Sequence, residues 1–342
     1  TRMKKIIKTA AYLILLIGIF GCAKTVQPGA NEANKRYFDA WMKINHPNVK
    51  PTGLGIYIIE DKEGTGAKVE DDGFAIIDYT IADLDGTITS YTGKETAKML
   101  GEYDTTTYYG PQVMTTMKNT IYAGLAEALV GMRAGGHRKV IIPSWLMTYY
   151  SYDSEKEYLE HSSSNSNTIY DIYVRDYTDS INKYEIAQIE KYIADNPAIF
   201  NDKMVNDTTG FYYQPLTADP STEKFPSDTS IYINYTGRLL NGLVFDTTIE
   251  RVAKDNGLYS ATRSYEPVKI KWGEKVSDIK MGTNASSVVD GFARTLWHMH
   301  PMEKGLGVFY SPLGYSYSGS GASIPGYAPL IFEIEIVAEP ED

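Results

Sequence analysis

Two stretches of the chain alternate apolar and polar residues and then turn at a glycine: "GFAIIDYTIADLDG" (73–86) and "TSIYINYTGRLLNG" (229–242). A period of two predicts strands with one buried face, and the Asp-Gly and Asn-Gly pairs predict hairpin turns. The two stretches lie 156 residues apart, counted from Tyr79 to Tyr235 (235 − 79). Other segments recur in the same order. Helical periodicity covers 33–45 and again 180–196, where Tyr184, Ile186, Ile189 and Ile193 share a face and Asp179 or Ser180 stands as a cap. Strand-like runs follow at 52–61 and 209–216. Short helices introduced by glycine are predicted at 123–132 and 290–299, and closing strands at 167–174 and 329–337.

The order strand, strand, short helix, strand appears twice. It predicts an α+β protein of two repeated domains, each a curved antiparallel sheet wrapped on a short helix, with a helical segment before each. The expected segments are a leader at 1–22, a tether and helix at 23–49, a first domain at 50–176, a linker helix at 177–208 and a second domain at 209–342. A length of 342 residues suits two domains.

Charge narrows the partners. With 33 Lys+Arg against 43 Asp+Glu and a net charge of -10, the chain shows no basic stripe for phosphates, and no nucleic-acid partner is expected. The 28 tyrosines against 10 phenylalanines suit amphipathic pocket walls and exposed aromatic surfaces.

At the N-terminus, Lys4, Lys5 and Lys8 precede the apolar run "AAYLILLIGIFG" (10–21), too short to span a bilayer and patterned as a secretory signal peptide starting at Met3. The single cysteine, Cys22, follows at once. The stretch "IFGC" resembles the lipobox of bacterial lipoproteins, which implies cleavage before Cys22 and a lipid on its sulfur. One cysteine also leaves no disulfide framework. The expectation is a protein held on the bacterial cell envelope by its lipid anchor, facing the periplasm or on the outer membrane.

Three separated motifs in the second half carry a family resemblance. "INYTGRLLNGLVFD", "VVDGFARTL" and "LGYSYSGSGASIPGYAPLIFEIEIV" resemble the FKBP-type peptidyl-prolyl cis-trans isomerases over roughly residues 227–339. The resemblance implies two FKBP-like domains and a pocket built from matching positions. Tyr235, Phe245, Asp246 and Tyr315 would be the catalytic set. Val268, Val288, Val289, Phe292, Ile324 and Phe332 would bind substrate, with Phe292 at the floor where tryptophan is usual. Arg251, five residues after Asp246, matches the family's ion-pair arginine. "HPMEKG" (300–305) replaces a basic, glycine-containing turn, Ser316 replaces a glycine, and 249–266 is a longer loop.

The implied reaction uses no cofactor or metal. Its substrates would be proline-containing unfolded or extended polypeptides, in the service of folding exported proteins. In the first copy Thr89 and Ser90 stand at the Phe–Asp positions and Leu125 at the floor, so it is expected to be a degenerate binding or spacing module. Two other readings compete: a non-catalytic chaperone or peptide-binding lipoprotein on the same scaffold, and an outer-surface assembly subunit. The remaining candidates have plainer readings. His298 and His300 lack a third metal ligand and are expected to pack, "EKEYLE" (155–160) to be an exposed charged face, and His137, Arg138 and Lys139 to be structural.

Overall fold

The computed structural model describes residues 30–340 apart from 164 and 219. The predicted signal peptide and Cys22 lie outside the described residues. The first half contains α1 (Ala30–Asn45), β1 (Tyr57–Lys62), β2 (Phe74–Asp83), β3 (Ile88–Tyr91), α2 (Lys94–Leu100), β4 (Gln112–Thr115), α3 (Ala123–Leu129), β5 (His137–Ile142), α4 (Glu155–His161) and β6 (Thr168–Thr178). The second half contains α5 (Ile181–Asp195), β7 (Val205–Thr208), β8 (Phe211–Pro215), β9 (Ser230–Leu239), β10 (Val244–Thr247), α6 (Glu250–Asp255), β11 (Val268–Lys271), β12 (Lys280–Met281), β13 (Ser286–Ser287), α7 (Asp290–His298), β14 (Lys304–Phe309) and β15 (Leu330–Val337).

The two halves build the same sheet. The first has strand order β1-β5-β6-β2-β3 with β4 also on β2; in the second, β8-β14-β15-β9 runs in the same order with β10 and β11 on β9. The pairs are antiparallel throughout, and even the register repeats. Tyr79 faces Ile172 and Ile81 faces Tyr170, as Tyr235 faces Ile334 and Gly237 faces Phe332. Beyond this common part, β12 and β13 extend one edge of the second sheet and β7 the other. Residues 205–208, expected in the linker, therefore belong to the second sheet.

Each sheet curls over one short helix, and a glycine makes the close approach possible. A Cβ at Gly124 in α3 would overlap Ile142 of β5, and one at Gly291 in α7 would overlap Phe309 of β14. Each domain has its own core, with Phe38 and Met42 of α1 packed into the first. Helix α5 covers the other face of the second sheet, where Ile189 meets Tyr212, Leu306 and Ile331. Its N-terminal residue Ser180 makes no side-chain cap, unlike Ser154 of α4, whose hydroxyl accepts from the Glu157 N–H.

One surface expectation needs correcting. Residues 155–160 form most of α4, and Tyr158 is only 1% exposed within the first core. The four charges around it hid one inward-facing aromatic.

Candidate active site

The site starts at the hairpin β9–β10. A bulge between Val244 and Asp246 leaves Phe245 outside the regular ladder, and such a bulge re-aims the side chain beside it. Gly237 provides the room, since a Cβ there would lie 2.5 Å from the Phe245 ring and 2.9 Å from Phe332. The aromatics then lock edge to face. Phe245 and Phe332 have centroids 5.5 Å apart, Phe292 and Phe332 5.0 Å, and Tyr235 and Phe292 5.6 Å. Each such pair adds about 0.5–1.5 kcal/mol beyond the area it buries.

Asp246 is aimed by two partners. The Tyr235 hydroxyl donates to its Oδ2 at 2.5 Å, and Arg263 Nη1 donates to its Oδ1 at 2.7 Å. Burial, with the Asp246 carboxylate second, pushes the Tyr235 phenol well above its ordinary pKa, so it remains a donor. The Asp246 and Arg263 side chains are 36% and 40% exposed, so the ion pair is screened and adds little stability. Its effect is orientation.

The remaining walls come from the start of α7 and from the segment before β15. Val289 occupies the N-cap position of α7, where its carbonyl accepts from the Phe292 and Ala293 N–H groups. Its own N–H donates to no backbone carbonyl among the described residues. Tyr315 is half-buried beside Asp246; burial, then that carboxylate, raises its phenol pKa. Ser320 and Ile324 bridge each other in a tight flap that carries Ile324, 5% exposed, to the site. Gly319 fits there because its φ of +60° and the nearby Ile324 carbonyl exclude a side chain.

The structure brings Tyr235, Phe245, Asp246, Val288, Val289, Phe292, Tyr315, Ile324 and Phe332 together around one cavity of about 430 Å³. Val268 is not among them. It pairs with Ile233 at the first position of β11 and packs against the core, while Met281 of β12 reaches the cavity. Ser287, Ser320 and Ser323 also line it and were not foreseen.

Arg251 also departs from expectation. It sits in α6, with its side chain 90% exposed, near Asp255 at 3.7 Å. The guanidinium on Asp246 belongs to Arg263, twelve residues further on. The long loop 249–266 displaced the arginine, and only its charge, the opposite of Asp246, marked Arg263 in the sequence. Ser316 adopts φ +53°, which accounts for glycine as the expected residue there.

The histidines pack. His298 stacks on Phe211 and Tyr213, and burial lowers its pKa. His300 Nδ1 lies 3.0 Å from buried Glu303. In the first domain His137 pairs with Asp171 and Arg138 with Asp61. Among the described residues no group of three or more His, Cys, Asp or Glu could hold a metal ion.

The first domain repeats the frame around different contents. The Tyr79 N–H donates to Thr92 Oγ1 as the Tyr235 N–H does to Thr248 Oγ1, and the hairpin bulge recurs beside Ile81. This sets Thr89 against Phe245 and Ser90 against Asp246. Ile81 stands at the Gly237 position and Tyr170 at the Phe332 position. Beyond Trp145 the chain folds back instead of forming a flap: the Thr148 carbonyl accepts from the Ala123 N–H, and Tyr149 packs on Tyr122 at 4.5 Å.

Comparison with known proteins points one way. The family model for FKBP-type peptidyl-prolyl cis-trans isomerases matches residues 221–337. FK506-binding protein 2 of Dictyostelium discoideum is 30% identical over 128 residues, 37% of this chain and 76% of that protein. Peptidyl-prolyl cis-trans isomerase FKBP15-1 of Arabidopsis thaliana is 30% identical over 129 residues, 38% of this chain and 67% of that protein. Among solved structures, a peptidyl-prolyl cis-trans isomerase from Pseudomonas syringae pv. tomato is 24% identical, covering 47% of this chain and 97% of its own, with a TM-score of 0.31.

Proposed function

The chain belongs to the FKBP-type peptidyl-prolyl cis-trans isomerase family, and we propose that its second domain is the catalytic unit, turning over Xaa–Pro bonds in the cavity around Asp246. One observation carries this reading. The aromatic box, Tyr315, and Asp246 held by Tyr235 and Arg263 converge on one cavity.

The chemistry asks for no nucleophile. Rotation about an amide is opposed by about 18–20 kcal/mol of lost resonance. In the twisted state the amide's charge separation falls, so an apolar box stabilises that state relative to the planar one. Phe245, Phe292 and Phe332 supply the box. In this reading the Val289 N–H and the Tyr315 hydroxyl hold flanking carbonyls, and Asp246, oriented by Tyr235 and Arg263, faces the rotating bond.

The natural substrates in this reading are extended or unfolded polypeptides containing proline. The reading extends to attachment to the cell envelope through Cys22 and to service to exported proteins, which the basic head and apolar run before that cysteine support. The non-catalytic peptide-binding alternative is less well supported, because Asp246 is turned to Tyr235 and Arg263 rather than left free.

The test is NMR exchange between cis and trans forms of a short Xaa–Pro peptide with the protein and its Asp246→Val and Tyr315→Phe variants. Acceleration should fall in both variants, most in the first. Equal acceleration in all three would remove catalysis from this cavity, and none with the unmodified protein would leave the peptide-binding reading.

A further inference from the structure

The first domain reaches the rim of the second domain's cavity. The Tyr108 N–H, in the loop between α2 and β4, donates to the Ala322 carbonyl at 2.8 Å. Ala322 is at the tip of the flap, between Ser320 and Ile324, which bond to each other's backbone at 2.8 and 3.2 Å. Ser320, Ser323 and Ile324 of this flap line the cavity.

The same loop approaches the segment that follows α6. Gly257 follows α6 on the way to Arg263, and a Cβ there would lie 2.5 Å from Thr105 Oγ1. At the far end of the flap the Tyr327 ring meets Phe74 of β2, centroids 5.6 Å apart. The first domain thus holds the flap at its tip and at its base, and abuts the segment that delivers Arg263 to Asp246.

The loop is built to bear this contact. Asp104 Oδ1 accepts from both the N–H and the hydroxyl of Thr106, at 2.7 and 2.8 Å. Tyr103 stacks on Tyr109, and the Tyr109 hydroxyl accepts from the Asp104 N–H. The Tyr108 ring packs against the second domain's core, and its hydroxyl donates to the Pro111 carbonyl. The loop is thus braced by bonds of its own while the Tyr108 N–H is given to another domain.

We propose that this loop of the first domain is a clamp on the second domain's substrate rim. Tyr108 is its positioning residue, and it sets which side chains beside the proline the flap admits. This rests on the reading of the second domain as catalytic, and it gives the domain without the Phe–Asp pair a role in the same reaction.

The test uses the full chain with Tyr108→Pro, which removes the donated N–H, Tyr108→Ala, which removes the ring, and Tyr108→Phe as the conservative control. Amide hydrogen exchange of residues 320–326 and kcat/KM for peptides with small or large residues before proline are measured together. Loss of one hydrogen bond should speed exchange of the Ile324 amide about fivefold in Tyr108→Pro. The small-to-large ratio of kcat/KM should shift by about as much, mainly through KM, with Tyr108→Phe close to the unmodified protein. Unchanged exchange and an unchanged peptide ratio in both Tyr108→Pro and Tyr108→Ala would overturn the clamp. So would fast exchange of the Tyr108 amide in the unmodified protein, a result that needs no variant to fold. Exchange judges the clamp even if the protein accelerates no peptide, so the two proposals fail separately.

Discussion

Ile81 and Gly237 occupy the same place in two copies of one sheet, and the difference between them organises everything around it. In the second domain the missing side chain leaves space for Phe245, which packs on Phe332. In the first, Ile81 is packed against the core and the residue at the Phe245 position is the small Thr89. One domain keeps its bulk on the sheet, and the other moves it to the hairpin and gains a wall. A pocket is thus a redistribution of volume as much as a set of polar groups. Restoring Asp246's counterpart alone, at Ser90, would not open a cavity under Ile81.

The largest expected effect comes from erasing that difference. Gly237→Ile pushes a side chain into the Phe245 ring, and overpacking of this kind costs about 1–3 kcal/mol of stability. It also displaces Phe245 from the cavity wall, and a shift near 1 Å at a catalytic site lowers activity on the order of 10²-fold. Adding Phe245→Thr, which recreates the first domain's pairing of Ile81 with Thr89, should return part of the stability, since the overlap with Phe332 remains, and none of the activity. Urea unfolding and peptide exchange separate the two. A double variant as active as the unmodified protein would detach Phe245 from turnover.

A second contrast lies at the turn after the helix-facing strand. Ser311 donates its N–H and hydroxyl to Glu185 of α5, at 2.6 and 2.8 Å, whereas the Ser144 N–H donates to the neutral Asn167 amide at 2.8 Å. Glu185 is 1% exposed, and burial, only partly offset by Ser311, raises its pKa to about 7 from 4.5. The folded state therefore holds the proton more tightly than the unfolded chain. Its contribution is complete below about pH 4.5 and is lost as pH rises to about 7. The loss is about 3 kcal/mol. Glu185→Gln should flatten that part of the stability curve between pH 5 and 8, since Gln, like Asn167, does not titrate there. A slope unchanged by the substitution would show that Glu185 is ionised at no cost.

Much of this was legible in the sequence because it was periodic or local. The alternation in 73–86 and 229–242 placed β2 and β9, and the glycine turns placed β3 and β10. The cavity residues on those elements stand within a few positions of a motif. What was lost depended on length and on partners distant in sequence. Arg263 was misplaced to Arg251 because a loop of variable length lets the chain bring back a guanidinium from anywhere along it. Val268 shares the inner face but is too short to reach the cavity, and Met281, from a two-residue strand with no pattern of its own, reaches it instead. Tyr158 was hidden because a seven-residue helix shows little periodicity. The contact of Tyr108 with Ala322 joins residues more than 200 positions apart through backbone atoms alone, and no side-chain pattern records it.

The smallest effect concerns the turn before β5 and β14. Gly135 and Met302 are equivalent, 167 residues apart (302 − 135), as Gly124 and Gly291 are (291 − 124). Both have positive φ, +83° at Gly135 and +60° at Met302. For a residue with a Cβ this conformation costs about 1–2 kcal/mol, which glycine avoids. Met302 is 65% exposed, so its side chain gains little burial in return. Met302→Gly should therefore stabilise the protein, but by less than that cost, because glycine also frees the unfolded chain. The net gain is about 0.5–1 kcal/mol. Gly135→Ala should lose a similar amount in the first domain. Urea unfolding reads both, and the informative result is their opposition in sign. If both substitutions destabilise, the Met302 side chain makes a contact worth more than its backbone strain, and the two turns are alike in shape alone.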